Sequence, residues 1–170
     1  MRIGVPKEPE NESRVAIVPG SMKKLTKAGF EVLVEKGAGI NANYSDSQYE
    51  ELGAKIVSRK EALECENIIC INYPGLDGIK TGTNLTCVSD PFRNPQSVKE
   101  CIEAKVTLMS MDMIPRRLSR AQSMDVNSSQ DNLAGYKAVL LGAANVPRGI
   151  PMMTTSAGTV RPAKVVVMGS

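Results

Sequence analysis

The chain has 170 residues, 42% of them hydrophobic and 23% charged, with a formal net charge of +3, a globular mixture sized for one domain and part of a second. Scattered basic residues and a 4% aromatic share exclude a nucleic-acid footprint, and no apolar run nears the roughly 20 residues of a membrane span. With no histidine and no Cys-x-x-Cys spacing among Cys65, Cys70, Cys87 and Cys101, no zinc or other metal site is expected; "MRIGVPKEPE" holds no signal core, so a cytoplasmic location with free structural thiols is expected.

In chain order, "RIGV" (2–5) reads as a short strand, and "SMKKLTKAG" (21–29) as a helix capped by Ser21 and stopped by Gly29. "EVLVEKG" (31–37) alternates as a strand does. A helix opens at the capping Ser45 and runs over "SDSQYEELGA" (45–54). Strands follow at 54–58, 67–72 and 84–89, then a helix over "PQSVKECIEA" (95–104) and a strand at 105–111. Strands alternating with helices predict an α/β fold with a doubly wound parallel sheet, flavodoxin-like in the manner of the formate dehydrogenase catalytic domain. This first domain is placed at residues 1–130.

The pattern then changes. "DNLAGYKAVLLGAANV" (131–146) reads as a longer helix, apolar over much of its surface. "PRGIPMMTTSAGTVRP" (147–162) reads as a hairpin arm, and "AKVVVMGS" (163–170) as a buried parallel strand running into Gly169. A strand followed at once by glycine is how a dinucleotide-binding turn begins. Residues 131–170 are therefore expected to be the linking helix, arm and first strand of an incomplete Rossmann domain.

The densest polar cluster is "MDMIPRRLSRAQSMDVNSSQDNLAGY" (111–136), between a strand and a helix. Such a loop falls at the carboxyl end of a parallel strand, where α/β proteins place ligands. Arginines there meet phosphate or developing charge, and Gln and Asp hydrogen-bond an amide or a ribose. The same spacing also fits a solvated loop with an N-capping serine.

"IPRRLSRAQSMDVNSSQDNLAGYKAV", with "GIPMMTTSAGTVRPAKVVVMG" behind it and "RIGVPKEPENESRVAIVP" in front, strongly resembles the NAD(H)-binding alpha subunit of proton-translocating nicotinamide nucleotide transhydrogenase, along essentially the whole chain. The resemblance implies hydride exchange between NAD(H) bound here and NADP(H) held by a partner component, coupled to proton movement through a membrane part. It implies a homodimer associated with the NADP-binding and membrane subunits, at the inner face of the cell membrane. It also implies that Arg116, Arg117, Gln122 and Asp125 serve catalysis, and that Leu118, Ser119, Arg120, Ser128 and Ser129 join them in binding the cofactor. Gln122 would meet the nicotinamide ribose or carboxamide. Asp125 would pair with an arginine that positions the ring, and Ser128 would lie on the carboxamide side.

The loop departs from the family's usual Pro-Arg-Ile-Ser-Arg by one residue, so Arg116 and Arg117 both remain candidates for the nicotinamide arginine. The family also continues past the terminal strand, so the chain is expected to be the front half of such a subunit. The related alanine dehydrogenases share "VPKE"-like and "RVAIVP"-like segments. Here, however, Asn72 stands where their substrate lysine would be, and no histidine exists for acid–base work. Hydride passing between two nicotinamides needs no such group. Lys7, Glu8 and Arg14 are read as a structural ion-pair cluster, "EKGAGINANYSD" as turn chemistry, and the methionines at 109–113 and 152–153 as packing. The alternative function is a non-catalytic dimeric α/β remnant without competent NAD binding.

Overall fold

Short runs rich in valine, isoleucine and leucine build the sheet, because β-branched side chains pack well on a pleated, buried surface. The computed structural model describes residues 1–168, and the chain divides into two compact units, Met1–Asp125 and Val126–Ser170.

In the first unit, strands β1 (Arg2–Val5), β2 (Glu31–Glu35), β3 (Lys55–Val57), β4 (Asn67–Asn72), β5 (Asn84–Val88) and β6 (Thr107–Ser110) form one sheet. Its order is β3-β2-β1-β4-β5-β6 and every neighbouring pair is parallel. Without the short edge strand β3, the remaining five follow the flavodoxin-like order. The doubly wound parallel sheet expected from the sequence is therefore present.

Side chains alternate between the two faces. Ile3, Val5, Val32 and Val34 join Met22 of α1 (Pro19–Lys27) and Tyr49 of α2 (Asp46–Glu50) in one core. Ile68, Cys70, Leu85 and Cys87 join Leu63 of α3 (Arg59–Leu63) and Cys101 of α4 (Pro95–Ala104) in the other. Gly4 belongs to this second face, and a Cβ there would overlap the Ala62 carbonyl oxygen of α3. Glycine is what lets α3 lie so close to β1. Tyr49 is fully buried and its hydroxyl donates to the Ile17 carbonyl at 2.8 Å.

Several local expectations need correction. Helix α1 begins at Pro19 with Val18 as its cap, not at Ser21: proline's missing N–H costs nothing in a first turn. Gly29 does lie just past its end with φ of 84°. Ser45 does cap α2, with Gln48 accepting from its backbone N–H at 2.8 Å. Helix α3 was not anticipated, although Ser58 and Glu61 form the reciprocal capping pair that "SRKE" encodes.

The second unit holds α5 (Val126–Asn145) and a two-stranded antiparallel hairpin of β7 (Met153–Thr155) and β8 (Gly158–Val160). The hairpin arm is as expected. Helix α5 starts five residues before the expected Asp131, taking in the Val126–Gln130 stretch that its serines and asparagine disguise as loop. The expected terminal strand is absent among the described residues: 161–168 carry no strand, and Val166 is 84% exposed. An extended segment becomes a strand only when a neighbour completes its hydrogen bonds, and a single bond from the Ala163 N–H to the Ile150 carbonyl at 3.0 Å does not make a ladder. The glycine turn expected to open at Gly169 lies outside the described residues.

Candidate functional site

The carboxyl ends of the sheet strands offer two places for chemistry. One is the crevice where the strand order reverses, between β1 and β4. The other is the long loop leaving edge strand β6.

At the first, a cleft of about 320 Å³ is lined by Lys7, Glu8, Arg59, Cys70, Asn72 and Tyr73, among others. A bulge shapes its floor: between the Ile69–Thr86 and Asn72–Val88 pairs, two β4 residues face one of β5. The backbone N–H groups of Ile71 and Asn72 turn instead to the buried carboxylate of Glu8, at 2.5 and 3.1 Å. The Asn72 side-chain amide donates to Glu8 at 3.0 Å and to Glu12 at 3.3 Å. Arg14 is clasped by Glu12 through its Nε at 2.8 Å and Nη2 at 2.7 Å. Those hydrogen bonds, foremost, hold the Glu12 carboxyl down at about 2. Thus Arg14 does sit in a structural ion pair, with Glu12 as the partner that the sequence reading did not name. The neighbouring Cys87 thiol, then burial, push Cys70 far above the ordinary thiol range, so it stays protonated and unreactive. The polar groups of this cleft largely satisfy one another.

The second place carries the residues singled out from sequence. After β6, a 3₁₀ turn at Met111–Met113 leads into two consecutive turns that share Leu118. The first is closed by the Leu118 N–H donating to Pro115 at 3.2 Å, the second by the Ala121 N–H donating to Leu118 at 2.8 Å. Arg116 and Arg117 occupy the centre of the first turn, Ser119 and Arg120 that of the second. Ala121 is buried and pins the loop, and a further 3₁₀ turn at Gln122–Met124 brings Asp125 round. Asp125 thereby reaches Arg116, Oδ2 to Nε 3.9 Å, while Arg117, Leu118, Ser119, Arg120 and Gln122 are exposed. Of the two candidate arginines, the one drawn to Asp125 is Arg116. At that length, with Arg116 half exposed, the contact orients more than it stabilises, contributing about 0–1 kcal/mol.

Ser128 and Ser129 lie in the first turns of α5, in the second unit. The Ser129 hydroxyl donates back to the Val126 carbonyl at 3.0 Å. Missed altogether was the polar cluster at the root of the loop: Asp112 with Ser89 and Ser110. Its signal was present in the polar residues that end two adjacent apolar runs, "CVSD" and "LMSMD".

Comparison with known proteins bears on the family and the fold. Residues 4–134 match the family described as "Alanine dehydrogenase/PNT, N-terminal domain". An NAD(P) transhydrogenase alpha-subunit chain of Rhodospirillum rubrum is 44% identical across 99% of this chain and 47% of its own length. The "NAD(P) transhydrogenase subunit alpha" of Haemophilus influenzae is 39% identical across the whole chain and 34% of its own length. The crystal structure of transhydrogenase from Sinorhizobium meliloti superposes with a TM-score of 0.90 at 39% identity, over 96% of this chain and 50% of that one. An L-alanine dehydrogenase structure follows at 0.65 and 28%, over 71% and 34%. The chain spans half the length of these relatives or less. A six-stranded parallel sheet and a family match covering most of the first unit lead to one assignment: this chain belongs to the alanine dehydrogenase/PNT N-terminal domain family.

Proposed function

We propose that this chain serves the NAD(H) side of a nicotinamide nucleotide transhydrogenase, where hydride passes between NAD(H) and NADP(H) and is coupled to proton translocation. The observation that carries the reading is the Arg116–Asp125 bracket on a two-turn loop at the carboxyl edge of the sheet, in a chain without a histidine. The loop residues fit a nicotinamide: Arg116, oriented by Asp125, faces the ring's polar side, and exposed Gln122 offers both a donor and an acceptor to a carboxamide or ribose. Arg117, Leu118, Ser119 and Arg120 are exposed beside them for further cofactor contacts, and the family resemblance adds Ser128, on the carboxamide side, and Ser129 to the binding residues. Hydride moves directly from ring to ring, so the loop's work is alignment and no proton donor is required.

In this proposal NADP(H) is held by a partner component and the proton path by a membrane component. The chain works as a homodimer on the cytoplasmic side, peripheral to the membrane. No described helix is long and apolar enough to cross one.

The test uses the assembled transhydrogenase containing this chain. Gln122→Asn and Asp125→Asn should slow hydride transfer from NADH to an NADP analogue at least tenfold while changing NADH affinity about threefold or less. Arg116→Ala should cost more than Arg117→Ala. Equal losses in rate and affinity would reduce these residues to binding contacts. An assembly that neither binds NADH nor transfers hydride would favour the non-catalytic reading.

A further inference from the structure

The loop that carries Arg116, Gln122 and Asp125 leaves the sheet from β6, which among the described residues pairs on one side only, with β5. An edge strand holds its own exit poorly, because half of its backbone groups lack a neighbour. Something else has to fix the loop's root.

Three side chains meet there. The Asp112 carboxylate accepts the Ser110 hydroxyl at 2.5 Å and the Ser89 backbone N–H at 3.2 Å. The Ser89 and Ser110 hydroxyl oxygens are 2.7 Å apart. Ser110 gives its proton to Asp112, so Ser89 is the donor in that pair, and the donors run in sequence toward one carboxylate oxygen. Such a chain is mutually polarising, and an ionised carboxylate, which only accepts, is the group able to end it. Ser89 is 3% exposed, so its polar atoms depend on this network. One carboxylate thus ties the last residue of β6 to the exit of β5.

A second observation marks the same spot. Asp90, next to Ser89, has φ of 46°, a left-handed conformation that few residues besides glycine, asparagine and aspartate adopt and that a following proline, here Pro91, disfavours. Its carbonyl closes the turn by accepting the N–H groups of Arg93 at 3.0 Å and Asn94 at 2.7 Å. Backbone strain of this kind persists only where the surroundings over-determine it, and the anchored Ser89 supplies that constraint.

We infer that Asp112, through Ser110 and Ser89, is the positioning residue of the Arg116–Asp125 loop, setting its height and angle above the sheet; its effect on hydride transfer rests on the function proposed above. Its influence runs through the loop's root, and alignment errors near 1 Å at the loop's far side slow a transfer on the order of a hundredfold.

Two measurements separate this inference from the functional reading. The first is limited trypsinolysis of the 170-residue chain at Arg116, Arg117 and Arg120. Asp112→Asn and Ser110→Ala should cut at least tenfold faster there with an unchanged melting temperature, and Ser110→Thr, which restores the hydroxyl, should return to the wild-type rate. The second is hydride transfer in the assembled enzyme. There Asp112→Asn should lower kcat ten- to a hundredfold with NADH affinity within threefold. Wild-type cleavage rates in Asp112→Asn and Ser110→Ala would overturn the inference. So would a parallel fall in melting temperature, kcat and NADH affinity, which would make the cluster a general stabiliser. Faster loop cleavage in an assembly that transfers no hydride would leave Asp112 as the loop's anchor and remove the transhydrogenase reading.

Discussion

The two units of this chain bury their apolar residues very differently. In the first, α1 and α2 cover one face of the sheet and α3 and α4 the other, so Val5, Val32, Val34, Ile68 and Leu85 are fully enclosed. In the second, none of the 20 residues of α5 is buried. Leu133, Tyr136, Val139, Leu140 and Leu141 are all exposed, and so are Met152, Met153 and Val160 around the hairpin. A helix apolar on most sides is of the kind found inside assemblies, not on a free surface. The sheet unit closes its own core; the helix and hairpin carry a core's composition without a core of their own.

The contrast breaks most severely at Gly4. A Cβ there would run into the backbone oxygen of Ala62 and crowd the Cys65 Cβ, and neither helix backbone nor strand can yield without opening the second core. Gly4→Ala should therefore cost more than about 3 kcal/mol of unfolding free energy, read by urea titration of the chain. A loss under about 1 kcal/mol would mean that α3 does not sit against β1 as described.

A matched pair of truncations sharpens the comparison. Leu85→Ala empties volume in an enclosed core and should cost about 3 kcal/mol. Leu140→Ala, on a side chain 46% exposed, should leave the sheet unit's unfolding within about 0.5 kcal/mol. If a second copy covers α5 and the hairpin, as proposed, sedimentation of the wild type gives twice the 18.3 kDa chain mass and Leu140→Glu returns it to one. A monomeric wild type would sink the dimer proposal; an equal cost for the two alanine variants would place Leu140 inside a core of its own.

What the sequence made legible follows the same division. The sheet's alternation of apolar strands and capped helices is a local signal, so β1, β2, β4, β5 and α4 could be placed within a residue or two. Helix α3 escaped because five residues carry too little periodicity, even with "SRKE" in view. The terminal valines misled for the opposite reason: "KVVVM" has a strand's composition, but a strand is made by its neighbour, and composition cannot supply one. At the loop, side-chain types in "PRRLSRAQSMD" pointed to the candidate site, and only the fold of its two turns could separate Arg116 from Arg117. Glu12 and Asp112 went unremarked although Arg14 and Ser110 stand two residues from them, because the bonds that tie them to the sheet, to Asn72 and Ser89, are made by residues far off in the sequence.

The smallest expected effect belongs to Glu12, and its sign can be worked out. The Arg14 guanidinium hydrogen-bonds this carboxylate through two nitrogens and holds its pKa at about 2, below the ordinary 4.5. A carboxyl whose folded value is depressed contributes stability that is fully present above the unfolded value. That stability drains away as pH falls toward the folded value. Between pH 5 and pH 2 the wild type should therefore lose stability that Glu12→Gln, already uncharged, does not have to lose. Arg14 is 49% exposed on its side chain, so solvent screens the pair and the difference should be about 1 kcal/mol or less. Raised salt should shrink it further, since an exposed guanidinium is within reach of counterions. Chemical denaturation of both proteins at pH 5, 3.5 and 2 measures this directly. Parallel losses in the two would show that Arg14 lets go of Glu12 in water, leaving Asn72 and the bulge of β4 to hold the first loop to the sheet.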